Sequence, residues 1–282
     1  MTAISVRGLR KSYKGVEAVR GIDFEVEVGE VFGLLGPNGA GKTTTVEILE
    51  GYRKRDGGDV RVLGFDPQRR DRRFRTRIGV VLQSSELWAN LTPAETVRMF
   101  AGYYPKAHDP TDVIELVGLA DKADARVKTL SGGQKRRLDV ALALIGDPDL
   151  VFMDEPTTGF DPQARRAAWE MVRGLRELGK TILLTTHYLD EAQQLADRLA
   201  VLRDGEIVTI GTPADLVLSQ ETEIRYQENG KLVVERTATP TRTLNELTGR
   251  ALGEGRELEG LEVRRASLED VYLDLLREDD AE

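Results

Sequence analysis

Residues 36–43 read GPNGAGKT, a glycine-rich segment that ends in a lysine and a threonine. The spacing fits G-x-x-x-x-G-K-[ST], with Gly36, Gly41, Lys42 and Thr43 at the fixed positions. Glycines let backbone N–H groups turn toward phosphates, the lysine brings a cation to the β- and γ-oxygens, and the threonine hydroxyl suits Mg²⁺. The alternative, a glycine-rich turn that caps an ordinary helix, is disfavoured by the buried strand before the segment and the helix after it. We therefore predict nucleotide binding by Gly36, Pro37, Asn38, Gly39, Ala40, Gly41, Lys42, Thr43 and Thr44.

Two adjacent carboxylates end an apolar run, LVFMDE, farther along the chain. Four apolar residues should bury this strand, so Asp154 emerges at its carboxyl end, where α/β sheets place their ligands. A carboxylate there can hold Mg²⁺ through water, and Glu155 beside it could orient and deprotonate a water molecule. The alternative is a strand end followed by a solvated turn, and the phosphate-binding loop in the same chain favours the catalytic interpretation.

Three further residues carry weaker signals. His187 follows the run TILLTT, which should neighbour the LVFMDE strand, so its imidazole could reach a γ-phosphate; a lone histidine is more often a satisfied core or surface residue. Gln83 also ends a strand and could contact Mg²⁺ or the attacking water. Tyr13 lies in a predicted edge strand, where a half-buried sheet tyrosine is the ordinary interpretation and adenine stacking the functional one.

Residues 130–138, LSGGQKRRL, predict the start of another helix. Ser131 and two glycines precede a run that becomes apolar at VALALI. The exposed N–H groups at such a start suit an anion. The chain therefore has two helix N-termini suited to phosphate, and the second needs a role of its own.

The elements that must position these residues alternate along the first part of the chain. Short apolar runs, among them EVFGLLG, IGVVLQ, TILLTTH and RLAVLRDG, are typical of buried strands, and the helix-like segments between them indicate a largely parallel sheet. ISVRGLRKSY and GIDFEVEVG alternate apolar and polar residues, which predicts antiparallel strands. The fold class predicted is α/β, a P-loop NTPase with an antiparallel β subdomain.

Two other parts of the chain have a different character. Residues 84–148 are helical in pattern and predict a helical subdomain inserted into the α/β core. Residues 217–282 predict a small α+β appendage, with a hairpin that turns at Asn229–Gly230 and a last helix that Ser267 opens. The predicted domains are thus 1–216 and 217–282.

Composition excludes several kinds of site. The chain has 282 residues, a formal net charge of −8, no cysteine and two histidines. Disulfides, thiolate catalysis and cysteine metal sites are excluded, and the acidic balance disfavours nucleic acid. No apolar stretch approaches the roughly 18 residues that span a bilayer, and the first residues do not resemble a signal peptide, so we expect a soluble, cytoplasmic chain. The basic run QRRDRRFRTR is interpreted as a solvated connection between strands, with lipid or nucleic-acid binding as the alternative.

The chain resembles the ATP-binding subunits of ABC transporters in its motifs and in their order, from about residue 4 to residue 216. LSGGQ between a P-loop and a DE strand is specific, because other P-loop classes lack it. The motifs are Tyr13, GPNGAGKTT, Gln83, LSGGQ, LVFMDE, GFDP and His187.

The resemblance implies a role for each position. Tyr13 would stack on adenine, the P-loop would hold the phosphates, and Asp161 of GFDP would contact a partner subunit; the family's usual leucine before this aspartate is Phe160 here. The implied catalytic residues are Glu155 as general base, His187 as sensor of the γ-phosphate, and Gln83. The implied ligands of Mg²⁺ are Thr43, Gln83 and Asp154.

The resemblance also gives the second helix N-terminus a role. Ser131, Gly132, Gly133 and Gln134 would close over ATP held by the P-loop of a second, opposed subunit. A second ring of N–H donors would then neutralise the tetra-anion only when two subunits meet. A homodimer with two composite sites is the simplest arrangement, and a heterodimer is the alternative.

Flanking segments look like those of exporters of the daunorubicin-resistance type. Such subunits pair with a separately encoded permease that exports drugs, antibiotics or lipids, which implies a peripheral position at the cytoplasmic face of the membrane. The alternative is a soluble ABC ATPase that acts on nucleic acid or ribosomes. Long coiled coils or a second cassette, which mark such proteins, are absent from this sequence, and we expect no nucleic-acid partner.

Overall fold

The computed structural model describes residues 1–82, 87–218, 222–228, 230–264 and 268–277. Its residues divide into two compact units, one that ends at Ile210 and one that begins at Gly211. The strands are β1 (Thr2–Tyr13), β2 (Val16–Glu27), β3 (Val31–Leu35), β4 (Gly57–Val62), β5 (Ile78–Val81), β6 (Leu150–Asp154), β7 (Thr181–Thr186), β8 (Arg198–Arg203), β9 (Glu206–Gly211), β10 (Thr222–Glu228), β11 (Lys231–Thr237) and β12 (Glu259–Arg264). The helices are α1 (Lys42–Leu49), α2 (Arg72–Arg75), α3 (Pro93–Ala101), α4 (Pro110–Leu116), α5 (Gly132–Leu144), α6 (Pro162–Glu177), α7 (Leu189–Leu195), α8 (Pro213–Leu218), α9 (Pro240–Gly253) and α10 (Leu268–Arg277).

A six-stranded sheet in the order β5-β6-β7-β3-β8-β9 forms the centre of the first unit. The pairs from β5 to β8 are parallel, as the alternation of apolar runs and helical segments predicts. Every residue of β3 and β7 is buried, which explains why these strands read as continuous apolar runs. β6 buries its four apolar residues and ends at a partly exposed Asp154. The predicted neighbours β6 and β7 are adjacent, so their carboxyl ends meet at one edge of the sheet.

A three-stranded antiparallel sheet in the order β2-β1-β4 forms the predicted β subdomain. The prediction that Tyr13 lies in an edge strand is wrong, because β1 is the middle strand of this sheet. The sequence analysis missed β4, which opens on Gly57 and Gly58 and has little apolar alternation of its own. Antiparallel pairing with β1 stabilises this strand, which its local sequence propensity alone does not predict.

Helices form the described part of residues 84–148, as predicted. α3 and α5 each begin with a capping box, formed by Thr92 with Glu95 and by Ser131 with Gln134. Their apolar faces share one core with β6 and β7, which includes Val97, Leu138 and Met153. The inserted helices are therefore part of the same core as the sheet.

The arginine-rich run lies between β4 and β5 and includes α2. Arg73 pairs with Asp71 at 2.7 Å, and Arg77 pairs with Asp149 at 2.6 Å. Both arginines are largely exposed, and nearby carboxylates balance their charge. This is the arrangement expected of a solvated connection.

The second unit contains a three-stranded sheet in the order β11-β10-β12. β10 and β11 form the predicted antiparallel hairpin. Ile224, Tyr226 and Leu247 make a small core where α9 packs on the sheet. Asn229 of the predicted turn and Ser267 of the predicted helix start lie outside the described residues. The predicted fold class, α/β with inserted helices and a small α+β unit, is confirmed.

Candidate functional site

The glycine-rich loop lies between the end of β3 and the start of α1 and follows the other elements too closely for side chains at two positions. A Cβ at Gly36 would come within 2.4 Å of the Leu202 carbonyl oxygen. Gly41 has a φ of 100°, and a Cβ there would come within 2.4 Å of the Ala18 carbonyl oxygen. Glycine is required at both positions by packing, and at Gly41 by backbone conformation as well.

Lys42 lies in the interior of this loop and is 4% exposed. Its Nζ donates to the Gly36 carbonyl at 2.7 Å and to the Pro37 carbonyl at 3.1 Å. It also lies 3.7 Å from Oε1 of Glu155. Burial lowers the pKa of the Lys42 ammonium, and the charges of Glu155 and Asp154 oppose that shift. The cation is thus held at the point where the loop meets the end of β6.

The candidate magnesium ligands come from two different elements. The Thr43 hydroxyl donates to Oδ2 of Asp154 at 3.4 Å, which joins the first turn of α1 to the end of β6. A hydroxyl and a carboxylate are hard oxygen donors of the kind that Mg²⁺ prefers, so the residues present fit that ion. Gln83, the third predicted ligand, lies outside the described residues.

Two of the predicted site residues, Lys42 and His187, converge on Glu155. Nδ1 of His187 lies 3.2 Å from its Oε1, and the Thr158 hydroxyl donates to its Oε2 at 3.0 Å. Its φ is 44°, a conformation that is uncommon for a residue with a side chain. The surrounding contacts keep Glu155 in this backbone conformation, which its local preference disfavours.

The sequence analysis missed Thr185, which is fully buried in β7. Its hydroxyl donates to Oδ1 of Asp154 at 2.5 Å and accepts from the backbone N–H of Glu155 at 3.0 Å. The available signal was the polar residue inside the apolar run TILLTT, because a buried hydroxyl needs hydrogen-bond partners.

Tyr13 lies at the end of the β1–β2 hairpin, with two cations over its ring. The Lys11 ammonium is 5.3 Å and the Arg53 guanidinium 5.4 Å from the ring centroid. Ala18 of the same hairpin approaches Gly41, so the hairpin lies beside the glycine-rich loop.

The residues of LSGGQ form the start of α5. Ser131 and Gln134 satisfy each other in the capping box, with N–H···O distances of 3.2 Å to the Ser131 hydroxyl and 2.9 Å to the Gln134 side chain. Among the described residues, no hydrogen bond joins this group to the glycine-rich loop. A Cβ at Gly132 would meet nothing within 4 Å, and one at Gly133 would meet only the Ala164 side chain, at 4.0 Å.

Asp161 begins α6, where its carboxylate accepts from the N–H groups of Gln163 and Ala164, both at 2.9 Å. Asp161 and Phe160 line a cavity of about 290 Å³ together with Ser131 and Gln134. The structure therefore places the GFDP and LSGGQ segments side by side.

Arg136 is a second residue that the sequence analysis missed. It lies one turn into α5, is buried, and donates from Nε to the Pro156 carbonyl at 3.2 Å and from Nη2 to the Asp154 carbonyl at 3.4 Å. It also donates to the carbonyl of Leu82, the last described residue before Gln83. Burial lowers the pKa of its guanidinium, and the charges of Asp139 and Asp154 oppose that shift. Arg136 thus links the LSGGQ helix to the chain around the two carboxylates.

A larger groove of about 690 Å³ lies between the end of α1 and the inserted helices. Glu50 and Arg75 line one side, and Leu87, Trp88 and Phe100 line another. Trp88 is 51% exposed, and its ring packs edge-on against Phe100 at 5.8 Å. Burial, with the charges of Asp154 and Glu47, raises the pKa of Glu50 to about 8. The groove thus combines exposed aromatic surface with a buried acid.

None of the described helices is long and apolar enough to cross a membrane.

Comparison with known proteins identifies the family of this chain. The family model described as "ABC transporter" matches residues 19–158. The Nod factor export ATP-binding protein I of Paraburkholderia xenovorans (strain LB400) is 47% identical over 224 residues, which cover 77% of this chain and 73% of that protein.

Two further proteins extend the comparison. The daunorubicin/doxorubicin resistance ATP-binding protein DrrA of Streptomyces peucetius is 45% identical over 219 residues, covering 76% of this chain and 66% of that protein. An ATP-binding cassette solved as a dimer in a post-hydrolysis state with ADP and Pi has a TM-score of 0.66 and 25% identity, covering 74% of this chain and 98% of that one. The chain belongs to the ABC transporter ATP-binding proteins, the subunits that bind and hydrolyse ATP.

Proposed function

We propose that this chain energises an exporter, as one of two ATP-binding subunits that close on ATP and Mg²⁺ and drive a separately encoded permease. The observation that carries the proposal is the convergence on Glu155. The P-loop lysine lies 3.7 Å and His187 3.2 Å from one carboxylate oxygen, next to Asp154 and Thr43. A cation, a carboxylate pair and an imidazole beside a glycine-rich phosphate loop suit phosphoryl transfer to water.

Each residue has a defined part in hydrolysis. The N–H groups of residues 36–44 and the Lys42 ammonium bind the phosphates, and Tyr13 stacks on the adenine. Thr43, Asp154 and Gln83 hold Mg²⁺, which when bound neutralises charge on the β- and γ-phosphates. Glu155 orients a water molecule and takes its proton as the water oxygen bonds to the γ-phosphorus and the bond from that phosphorus to the β–γ bridging oxygen breaks. His187 contacts the γ-phosphate and keeps Glu155 in place.

The LSGGQ residues serve the ATP of the other subunit. Within the described part of their own chain, Gly132 and Gly133 have no conformational or packing requirement for glycine. Glycine in a helix costs up to roughly 0.5–1 kcal/mol relative to alanine, the upper figure being that of a helix interior. Glycine at these positions would let a group from outside the chain approach the backbone closely, and a helix N-terminus suits a phosphate. Ser131, Gly132, Gly133, Gln134 and Asp161 therefore complete a composite site in a dimer. The relative solved with ADP and Pi is itself a dimer.

A mixing experiment tests this arrangement. Ser131→Arg leaves the P-loop and Glu155 intact, whereas Glu155→Gln leaves LSGGQ intact. Each variant alone should be inactive, and an equal mixture made before ATP is added should recover about a quarter of the wild-type rate, because half of the dimers are mixed and each has one intact site. A mixture no more active than its parents would contradict action between subunits.

Two further observations support a class of exported cargo and a docking site for the permease. The relatives named above are described as an export protein and a drug-resistance protein, which supports export of a drug, an antibiotic or a lipid-like molecule. The groove around Trp88 and Phe100 exposes aromatic surface beside the inserted helices, which suits an apolar cytoplasmic segment of the permease. Docking there holds the chain at the cytoplasmic face of the membrane. Residues 217–282 form an accessory domain.

A further inference from the structure

The hydroxyl of Thr185 touches both functional carboxylate residues through its own hydrogen bonds. It donates to the Asp154 side chain at 2.5 Å and accepts from the Glu155 backbone N–H at 3.0 Å. A threonine hydroxyl has one donor and two acceptor sites, so both bonds form at once. Thr185 is 0% exposed, so bulk water does not reach its hydroxyl and the two bonds lie in a buried environment.

Both neighbours depend on this contact. Asp154 has its other oxygen, Oδ2, toward Thr43, so fixing Oδ1 fixes the direction of the oxygen offered to a metal. Glu155 has a φ of 44°, and its N–H is the group next to that strained torsion. An acceptor at this N–H stabilises a conformation that local preference disfavours.

We propose that Thr185 is a positioning residue for ATP hydrolysis, which sets the Asp154 carboxylate for Mg²⁺ and the Glu155 backbone for water activation. The proposal rests on the roles proposed above for Asp154 and Glu155. β7 is hydrogen-bonded to β6 along its length, so the hydroxyl is carried by a rigid, buried strand rather than by a loop. Rigid support of this kind keeps the two groups in place before the nucleotide binds.

The test replaces Thr185 with valine, which keeps the shape but removes the hydroxyl, and with serine, which keeps the hydroxyl. Thr181→Val is the matched control: Thr181 is 1% exposed at the start of the same strand, and its hydroxyl accepts from Gly29 N–H at 3.0 Å, away from the site. If Thr185→Val does not fold, Thr185→Cys keeps a similar volume with a weaker donor and acceptor.

Two quantities are measured with purified full-length protein. The first is the rate at saturating ATP and Mg²⁺, which should fall about 10- to 100-fold in Thr185→Val. The second is the gain in affinity for a fluorescent ATP analogue when Mg²⁺ replaces EDTA, which should shrink about tenfold, the usual order for loss of a group that orients a metal ligand. Serine should restore both quantities, and Thr181→Val should change neither, even if it lowers the unfolding temperature as much.

A Thr185→Val protein with wild-type rate and wild-type gain from Mg²⁺ would overturn the proposal, and so would equal losses in Thr181→Val or failure of serine to rescue. Glu155→Gln is assayed in parallel to distinguish failure of the positioning role of Thr185 from failure of the catalytic role of Glu155. If Glu155→Gln is inactive while Thr185→Val is normal, only the positioning role fails. If Glu155→Gln hydrolyses ATP normally, the proposed catalytic roles fail first.

Discussion

At the scale of single residues, the Glu155 carboxylate has the clearest consequence. Glutamine has nearly the same shape but cannot accept a proton, so Glu155→Gln should lower the hydrolysis rate by about 10²–10⁴-fold. ATP binding should be kept, because the loop that holds the phosphates is unchanged. The ATP-bound dimer should then accumulate, which size-exclusion chromatography with ATP would detect. Glu170→Gln, an exposed position on α6, is the control, and near-wild-type turnover in Glu155→Gln would rule out the general-base role.

Glu50 gives a pH-dependent prediction. Its pKa is raised from 4.5 to about 8 in the folded protein, because burial and the charges of Asp154 and Glu47 disfavour the carboxylate. A group whose pKa is raised by folding contributes stability that is fully present below the unfolded pKa and is lost as pH rises through the folded pKa. Wild type should therefore lose stability between about pH 5 and pH 8, by up to ~1.4 kcal/mol per pH unit, relative to Glu50→Gln.

Urea unfolding without nucleotide or Mg²⁺ measures this difference at each pH. Glu177→Gln, at the exposed end of α6, should follow the wild-type curve at every pH. Parallel curves for wild type and Glu50→Gln would mean that the carboxylate is not buried as described. A difference that grows with pH and levels off above pH 8 is the expected result.

At the scale of elements, a substitution at the start of α5 should affect the stability of the helix and ATP hydrolysis by the dimer in opposite directions. Gly132→Ala should stabilise the isolated chain by roughly 0.4–1 kcal/mol, because alanine fits the helix and loses less entropy on folding. The same change should lower hydrolysis severalfold, because a methyl group would meet the phosphates of the opposed subunit. Gly174→Ala on α6 is the matched control, since a Cβ there also meets nothing within 4 Å. Thermal unfolding and ATPase rates decide it: a Gly132→Ala protein with wild-type turnover would contradict close approach.

The elements also show which parts of the fold the sequence could predict. β3, β6 and β7 are buried on both faces, so each appears in the sequence as a continuous apolar run that predicts a strand. The spacing of the P-loop motif predicts where α1 begins. β4 and the order of the antiparallel sheet depend on pairing between distant segments, which a local pattern does not contain. Thr185 and Arg136 were hidden for a related reason: each lies in a run whose pattern indicates only a strand or a helix, and their partners come from other elements.

At the scale of the whole molecule, the proposal that two incomplete anion sites on one chain complete each other makes the dimer the catalytic unit. The loop at residues 36–44 and the start of α5 share no hydrogen bond among the described residues, although both present backbone N–H groups. In the proposed dimer, the start of α5 in each copy contacts the phosphates that the other copy's loop holds, so we expect ATP to stabilise the dimer and hydrolysis to weaken it. The Glu155 carboxylate contacts Lys42 of α1, His187 after β7 and Thr158 in the loop that follows β6. As the proposed general base, it would set how long the closed form lasts.

The proposed docking of the permease in the groove around Trp88 would connect this cycle to the membrane. Trp88→Arg places a charge on the aromatic surface, so we expect membrane binding to fall about tenfold or more, the usual loss when an anchor at the centre of an interface is removed. ATP hydrolysis by the isolated protein should not change, because Trp88 contacts Phe100 rather than the residues around Glu155. Leu178→Arg, at a 59% exposed position outside the groove, is the control. Sedimentation with membranes that contain or lack the permease measures the effect, and equal binding by both variants would move the docking site elsewhere on the chain.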